Sequence, residues 1–174
     1  MTSPAEFGEL LRSLSTSQSS ARENLVEHMF LAECLQESWF RRRESLEVAR
    51  AEVDAGGYDL ILRSAGVTRY VQLKASWKSS RTSRQTVNAN LQELNGGCII
   101  WVVCEVDEET GRADLTYLWR EGANLGNRVG RHTRGAKSER PNTRVLSKRE
   151  FEHLESTAEL LDRLFRSRRK KRAA

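Results

Sequence analysis

The chain has 174 residues, 38% of them hydrophobic and 30% charged, with a formal net charge of +5 and a pI near 9.4. That length suits one domain with one core, and the composition excludes a chain that is disordered throughout. No apolar run approaches the roughly 18 residues of a membrane helix, and Cys34, Cys98 and Cys104 lack any CxxC or Cys/His spacing, which argues against a zinc site.

Residues 1–19 are rich in Ser and Thr and read as a flexible lead-in. Met1 to Ser20 lacks the basic start and apolar middle of a secretory signal, so a cytoplasmic protein without membrane association is expected. Ser20-x-x-Glu23 matches a capping box, and Leu25, Val26, Met29, Phe30 and Leu35 then predict a helix over about 21–37. Residues 46–53 form a candidate strand, broken by Gly56-Gly57. Two β-rich runs, 58–63 and 67–75, flank a short turn carrying Gly66. After a polar loop, Val87, Leu91 and Leu94 recur at i, i+4 and i+7 and predict a short helix closed by Gly96-Gly97.

Residues 98–106 read as a near-continuous apolar strand covered on both faces, with Cys98 and Cys104 on one buried face. The acidic loop 107–112 turns the chain into a partner strand at 113–119. Residues 120–145 show no period and read as a long loop or irregular insertion. A second S-x-x-E, Ser147 to Glu150, opens a last helix through Phe151, Leu154, Leu161, Leu164 and Phe165. The order α-β-β-β-α-β-β-α predicts an α/β chain of mixed α+β character, with a mixed sheet flanked by helices. A single domain at 20–165 would stand between the lead-in and a basic tail at 166–174.

The chemistry concentrates in Asp59 and the run Val71-Gln72-Leu73-Lys74. Strand side chains alternate, so Gln72 and Lys74 share one face while Val71 and Leu73 take the other. If Ala65-Gly66 make a two-residue hairpin turn, cross-strand partners have positions summing to 131 and Asp59 faces Gln72. A carboxylate with neighbouring carbonyl oxygens suits a hard cation such as Mg²⁺, and a nearby lysine suits a phosphate and its attacking water. Glu23 and Glu27 lie on one face of the first helix; Glu23 has a capping role available, so Glu27 is the better candidate. Asp54 is a rival to Asp59 but sits further from the hairpin.

The pattern D-(x)12-Q-x-K, preceded by an acidic helix, resembles the PD-(D/E)XK nuclease superfamily, most of all the branch that reads Q-x-K, as in Mrr-type restriction nucleases. The likeness spans about residues 20–104 and implies a restriction-endonuclease-like αβββαβ core. It further implies an endonuclease that cuts DNA with Mg²⁺ or Mn²⁺. Asp59 would bind metal, Lys74 would be catalytic, and Glu27 would be the helical acid. Gln72 stands where most members carry Glu or Asp, and no Pro precedes Asp59. The catalytic candidates are therefore Asp59, Gln72, Lys74 and Glu27, and the metal candidates Asp59, Gln72, Leu73 and Glu27.

Nucleic-acid contacts are expected from Ser76, Trp77, Lys78 and Arg81, and from Arg128, Arg131, Arg134 and Lys137 in the basic stretch beyond. Cutting both strands of DNA would be compatible with a homodimer. The competing readings are an inactive nucleic-acid-binding module of the same fold and a ribonuclease, since the metal site does not itself choose the sugar.

Overall fold

A computed structural model describes residues 19–52, 56–107, 109–131 and 139–165, without the side chains of residues 19, 131 and 139. Residues 1–18 of the lead-in, the basic tail, Asp54, Arg134 and Lys137 lie outside the described residues. Helix α1, Ser19–Gln36, buries Val26, Phe30, Leu31 and Cys34, a spacing that keeps one face on the core. Ser20 lies inside this helix, already formed at Ser19, so it does not cap it as expected. A π-helical turn, Glu37–Arg42, follows directly and ends at Arg43 in the left-handed region.

Strands β1 (Glu47–Arg50), β2 (Leu60–Ser64) and β3 (Val67–Trp77) form an antiparallel meander. The β2–β3 turn is Ala65-Gly66 with φ of 49° and 78°, the two left-handed residues of a type I′ hairpin. Its register pairs Leu60 with Val71 and Ile61 with Tyr70, as the two-residue turn predicts. Next come β4 (Arg84–Asn88), a 3₁₀ turn (Ala89–Glu93), β5 (Gly97–Val106) and β6 (Ala113–Glu121). The remainder is β7 (Val129–Arg131), β8 (Glu139–Ser147), β9 (Glu152–Leu154) and helix α2 (Thr157–Phe165).

The larger sheet has the order β1-β2-β3-β5-β6-β9, with β3 and β5 parallel and the other neighbours antiparallel. A smaller antiparallel sheet has the order β4-β8-β7. The architecture is therefore mixed α and β, with a mixed sheet and two helices among the described residues. β5 divides the core. Cys98, Ile100, Val102 and Cys104 pack with α1 and α2, while Ile99, Trp101 and Val103 pack with Val87, Leu91, Leu146 and Phe151 on the side of the small sheet. Each fully buried aliphatic of β5 contributes about 1.5–3 kcal/mol, which makes this strand the centre of the fold. Among the described residues no helix is long and apolar enough to cross a membrane.

Three expectations are corrected. The helix predicted around Val87, Leu91 and Leu94 is instead β4 followed by the 3₁₀ turn, which Asn88 caps by accepting a hydrogen bond from Asn90 N at 3.0 Å. The segment 120–145 is not a plain loop, because it supplies β7 and most of β8, the partner that holds β4 extended. The Ser147–Glu150 capping box is real, with the Glu150 carboxylate accepting from Ser147 N at 2.7 Å and Ser147 Oγ at 2.9 Å, but it closes only a 3₁₀ turn. The chain then pairs with the edge of β6 as β9, and α2 begins ten residues later than the box, at Thr157.

Candidate functional site

The site arises from unequal strand lengths. β3 runs for 11 residues, but β2 pairs it only as far as Val71. Asp59 precedes β2 and extends the ladder by one bond, its N–H donating to Val71 O at 2.8 Å. Where the backbone pairing ends, the side chain takes over: Asp59 Oδ2 accepts from Leu73 N at 2.7 Å. This charge-assisted bond satisfies an amide on an edge that no strand covers among the described residues. The opposite edge of β3 stays paired with β5 through Trp77 and Cys104.

Beyond Asp59 the uncovered end of β3 and the first turns of α1 enclose a cleft of about 330 Å³. Its walls are Arg22, Glu23, Asn24 and Glu27 of α1, Asp59, Leu73, Lys74 and Ala75 of the hairpin, and Gln85 of β4. Asp59, Leu73, Lys74 and Glu27 are thus brought together at one cleft from three elements. Three carboxylates and two cations line the cleft, and a further cation, Arg50, pairs with one of those carboxylates, Glu27.

Glu27 is held from β1, where Arg50 Nε donates to its Oε1 at 2.7 Å. Arg50 Nη2 also approaches His28 Nε2 at 3.4 Å, and His28 Nδ1 lies 2.7 Å from Asn24 O. A protonated Nδ1 donating to Asn24 leaves Nε2 as acceptor for Arg50, so this histidine braces Arg50.

Gln72 is set apart. It is 4% exposed, and its Oε1 accepts from Asn88 N at 2.9 Å, fixing the junction of β4 with the 3₁₀ turn. It shares a strand face with Lys74, but β4 crosses over Gln72, and it does not line the cleft. Among the described residues no three His, Cys, Asp or Glu side chains gather as a metal-binding group.

The expected nucleic-acid contacts divide. Ser76 is buried and accepts from Trp101 Nε1 at 2.8 Å. Trp77 is not in a polar loop: it ends β3 and packs into the core beneath the helices, where its ring is closed to stacking on a base. The alternation along β3 decides this, because Trp77 falls in phase with Val71 and Leu73. Lys78 is exposed and paired with Glu105 Oε2 at 2.6 Å, and Arg81 and Arg128 are exposed. Arg131 is described only as backbone in β7.

Arg22 and Gln85 are cleft residues that the sequence reading misses. For Arg22 a signal exists: it continues the buried stripe of Val26 and Phe30 at a helical spacing of four, a place where a charged residue needs a reason. Gln85 carries no such mark, since its position depends on β4 pairing with a distant strand. Compared with known proteins, the sequence matches no protein family, and no curated protein matches it.

Proposed function

We propose that this cleft is the centre of a metal-dependent phosphodiesterase, a nuclease acting on DNA with a restriction-endonuclease-like core of the PD-(D/E)XK type in its Q-x-K form. One observation carries the reading: Asp59, just before β2, and Lys74 on β3 line the same cleft as Glu27 from the helix. Oxygen donors from two carboxylates, with a backbone carbonyl of the uncovered β3 edge and water, suit Mg²⁺, which commonly takes one or two carboxylates and keeps several waters.

When bound, Mg²⁺ polarises a phosphoryl oxygen and lowers the pKa of a water. The chain's own residues do the rest. Asp59 is fixed by the Leu73 amide and Glu27 by Arg50, so both carboxylates are oriented before substrate arrives. Lys74 offers three N–H donors to a non-bridging phosphate oxygen and to the attacking water. Gln72 braces the wall that carries Gln85, and its amide is not needed as a ligand.

The test is incubation of the purified chain with supercoiled DNA and with single-stranded RNA, each with Mg²⁺ or Mn²⁺ and with chelator. Metal-dependent nicking of the DNA is expected. Cutting of RNA alone would reassign the substrate, and salt-sensitive binding of DNA with no cutting under any metal would leave a binding module and overturn the enzymatic reading.

A further inference from the structure

We infer that Arg22 is a phosphate-binding residue of this cleft, gripping a backbone phosphate of the bound strand from the helix wall opposite Lys74. The inference rests on the proposed function for the identity of the strand, but its physical basis is independent of the metal. Arg22 has only 16% of its side chain exposed, and its Nε is buried without a hydrogen-bond partner among the described residues. Among the described residues the guanidinium's one hydrogen bond is Nη2 to Glu23 Oε1 at 3.3 Å, and that carboxylate is 62% exposed. Adjacent residues on a helix do not face each other, and an exposed pair is screened by water, so this contact does not account for drawing the guanidinium inward.

Other buried side-chain nitrogens without a partner have ordinary settings. Trp77 Nε1 and Trp119 Nε1 belong to rings packed against the core, and Arg120 directs its Nη1 and Nη2 to the carbonyls of Glu150 and Asn124. Arg22 differs from these in lining a cleft, one that Lys74 lines as well. A guanidinium in a cleft wall, held among the described residues only by a long bond to an exposed carboxylate, has donors that a ligand's oxygens can satisfy. The planar guanidinium fork matches two oxygens of one phosphate, a geometry a lysine does not reproduce. Phosphate oxygens are the chemistry recognised, whether carried by a nucleic-acid backbone or by a free ion.

The test compares wild type, Arg22→Gln and Arg22→Lys in chelator, where no metal-dependent cutting occurs. The probes are a fluorescent DNA duplex of about 20 base pairs, followed over a salt series, and inorganic phosphate as competitor. Arg22→Gln should weaken duplex binding about tenfold and reduce the slope of log K against log salt by about one. Arg22→Lys should recover the slope but only part of the affinity, because it keeps the charge and loses the fork. Competition by phosphate that disappears in Arg22→Gln supports a site that accepts the free ion; a slope change without such competition supports a backbone phosphate alone. Unchanged affinity and slope in Arg22→Gln, a lowered melting temperature with an unchanged slope, or no duplex binding by wild type at low salt would each overturn the inference. A slope change in a chain that cuts nothing with any metal would instead retain Arg22 and remove the nuclease.

Discussion

Replacing Gln72 by Glu introduces the acid usual at this position in the superfamily the motif resembles, yet the structure predicts damage. The side chain is 4% exposed and its Oε1 already accepts from Asn88 N. Gln72→Glu keeps that acceptor and places a carboxyl in the buried strip between the two sheets. Burying an ion carries an effective penalty of several kcal/mol, and one amide donor to a charged group returns about 1.5–3 kcal/mol. A loss of about 2–3 kcal/mol is expected near neutral pH, a large share of a stability that is typically about 5–15 kcal/mol. Burial holds the introduced carboxyl above its ordinary value, so the folded state binds its proton more tightly than the unfolded chain. The loss is therefore small below the unfolded value, near pH 4, and grows as pH rises through the folded one. Urea unfolding of both proteins at acidic and at mildly alkaline pH reads this directly. An equal loss at both pH values would indicate packing damage without charge burial. Added Mg²⁺ that stabilises Gln72→Glu more than wild type would place the residue in the cleft and refute the reasoning.

Asp59→Ala strands the Leu73 amide and should cost about 1–3 kcal/mol, whereas Asp59→Asn retains an acceptor oxygen and should cost less than about 1 kcal/mol. Under the proposed function both should lower nicking at least about 100-fold, and cutting retained by the well-folded Asn variant would remove Asp59 from the chemistry. Ala65 sits at a φ of 49°, where a side chain is strained. Ala65→Asn should stabilise the hairpin by about 0.5–1 kcal/mol, read as a higher melting temperature, and a lower one would contradict the type I′ turn. Burial pushes the Cys98 thiol up to about 12 and the Cys104 thiol up to about 11. These thiols stay protonated in the folded state while the unfolded ones ionise, so stability should fall as pH rises from about 8.5 toward those values. A thiol reagent near pH 8 should label them only after unfolding, and rapid labelling of the native protein would contradict their burial.

What could be read from the sequence was local. The hairpin of β2 and β3 announced itself through alternation and through Ala65-Gly66, and its register followed from the turn alone. β5 was visible as an apolar run because both of its faces are covered. β4 was not, because Val87 and Leu91 at a spacing of four suit a helix as well as a strand leading into a capped turn. Only pairing with β8, whose own residues lack a period, decides between them. The face shared by Gln72 and Lys74 was predicted from strand parity. That β4 crosses this face, closing over Gln72 and leaving Lys74 at the cleft, is a tertiary fact with no local trace. Trp77 was misplaced for a related reason: its polar neighbours masked a strand that continues to its last inward-facing residue.

The most direct measurement of the central claim is a crystal soaked in Mn²⁺ and examined by anomalous scattering. The account predicts a peak in direct contact with a carboxylate oxygen of Asp59, with Glu27 joining directly or through water and Gln72 still bonded to Asn88. A cleft without a peak at saturating Mn²⁺, or a peak only at sites remote from Asp59, would contradict it.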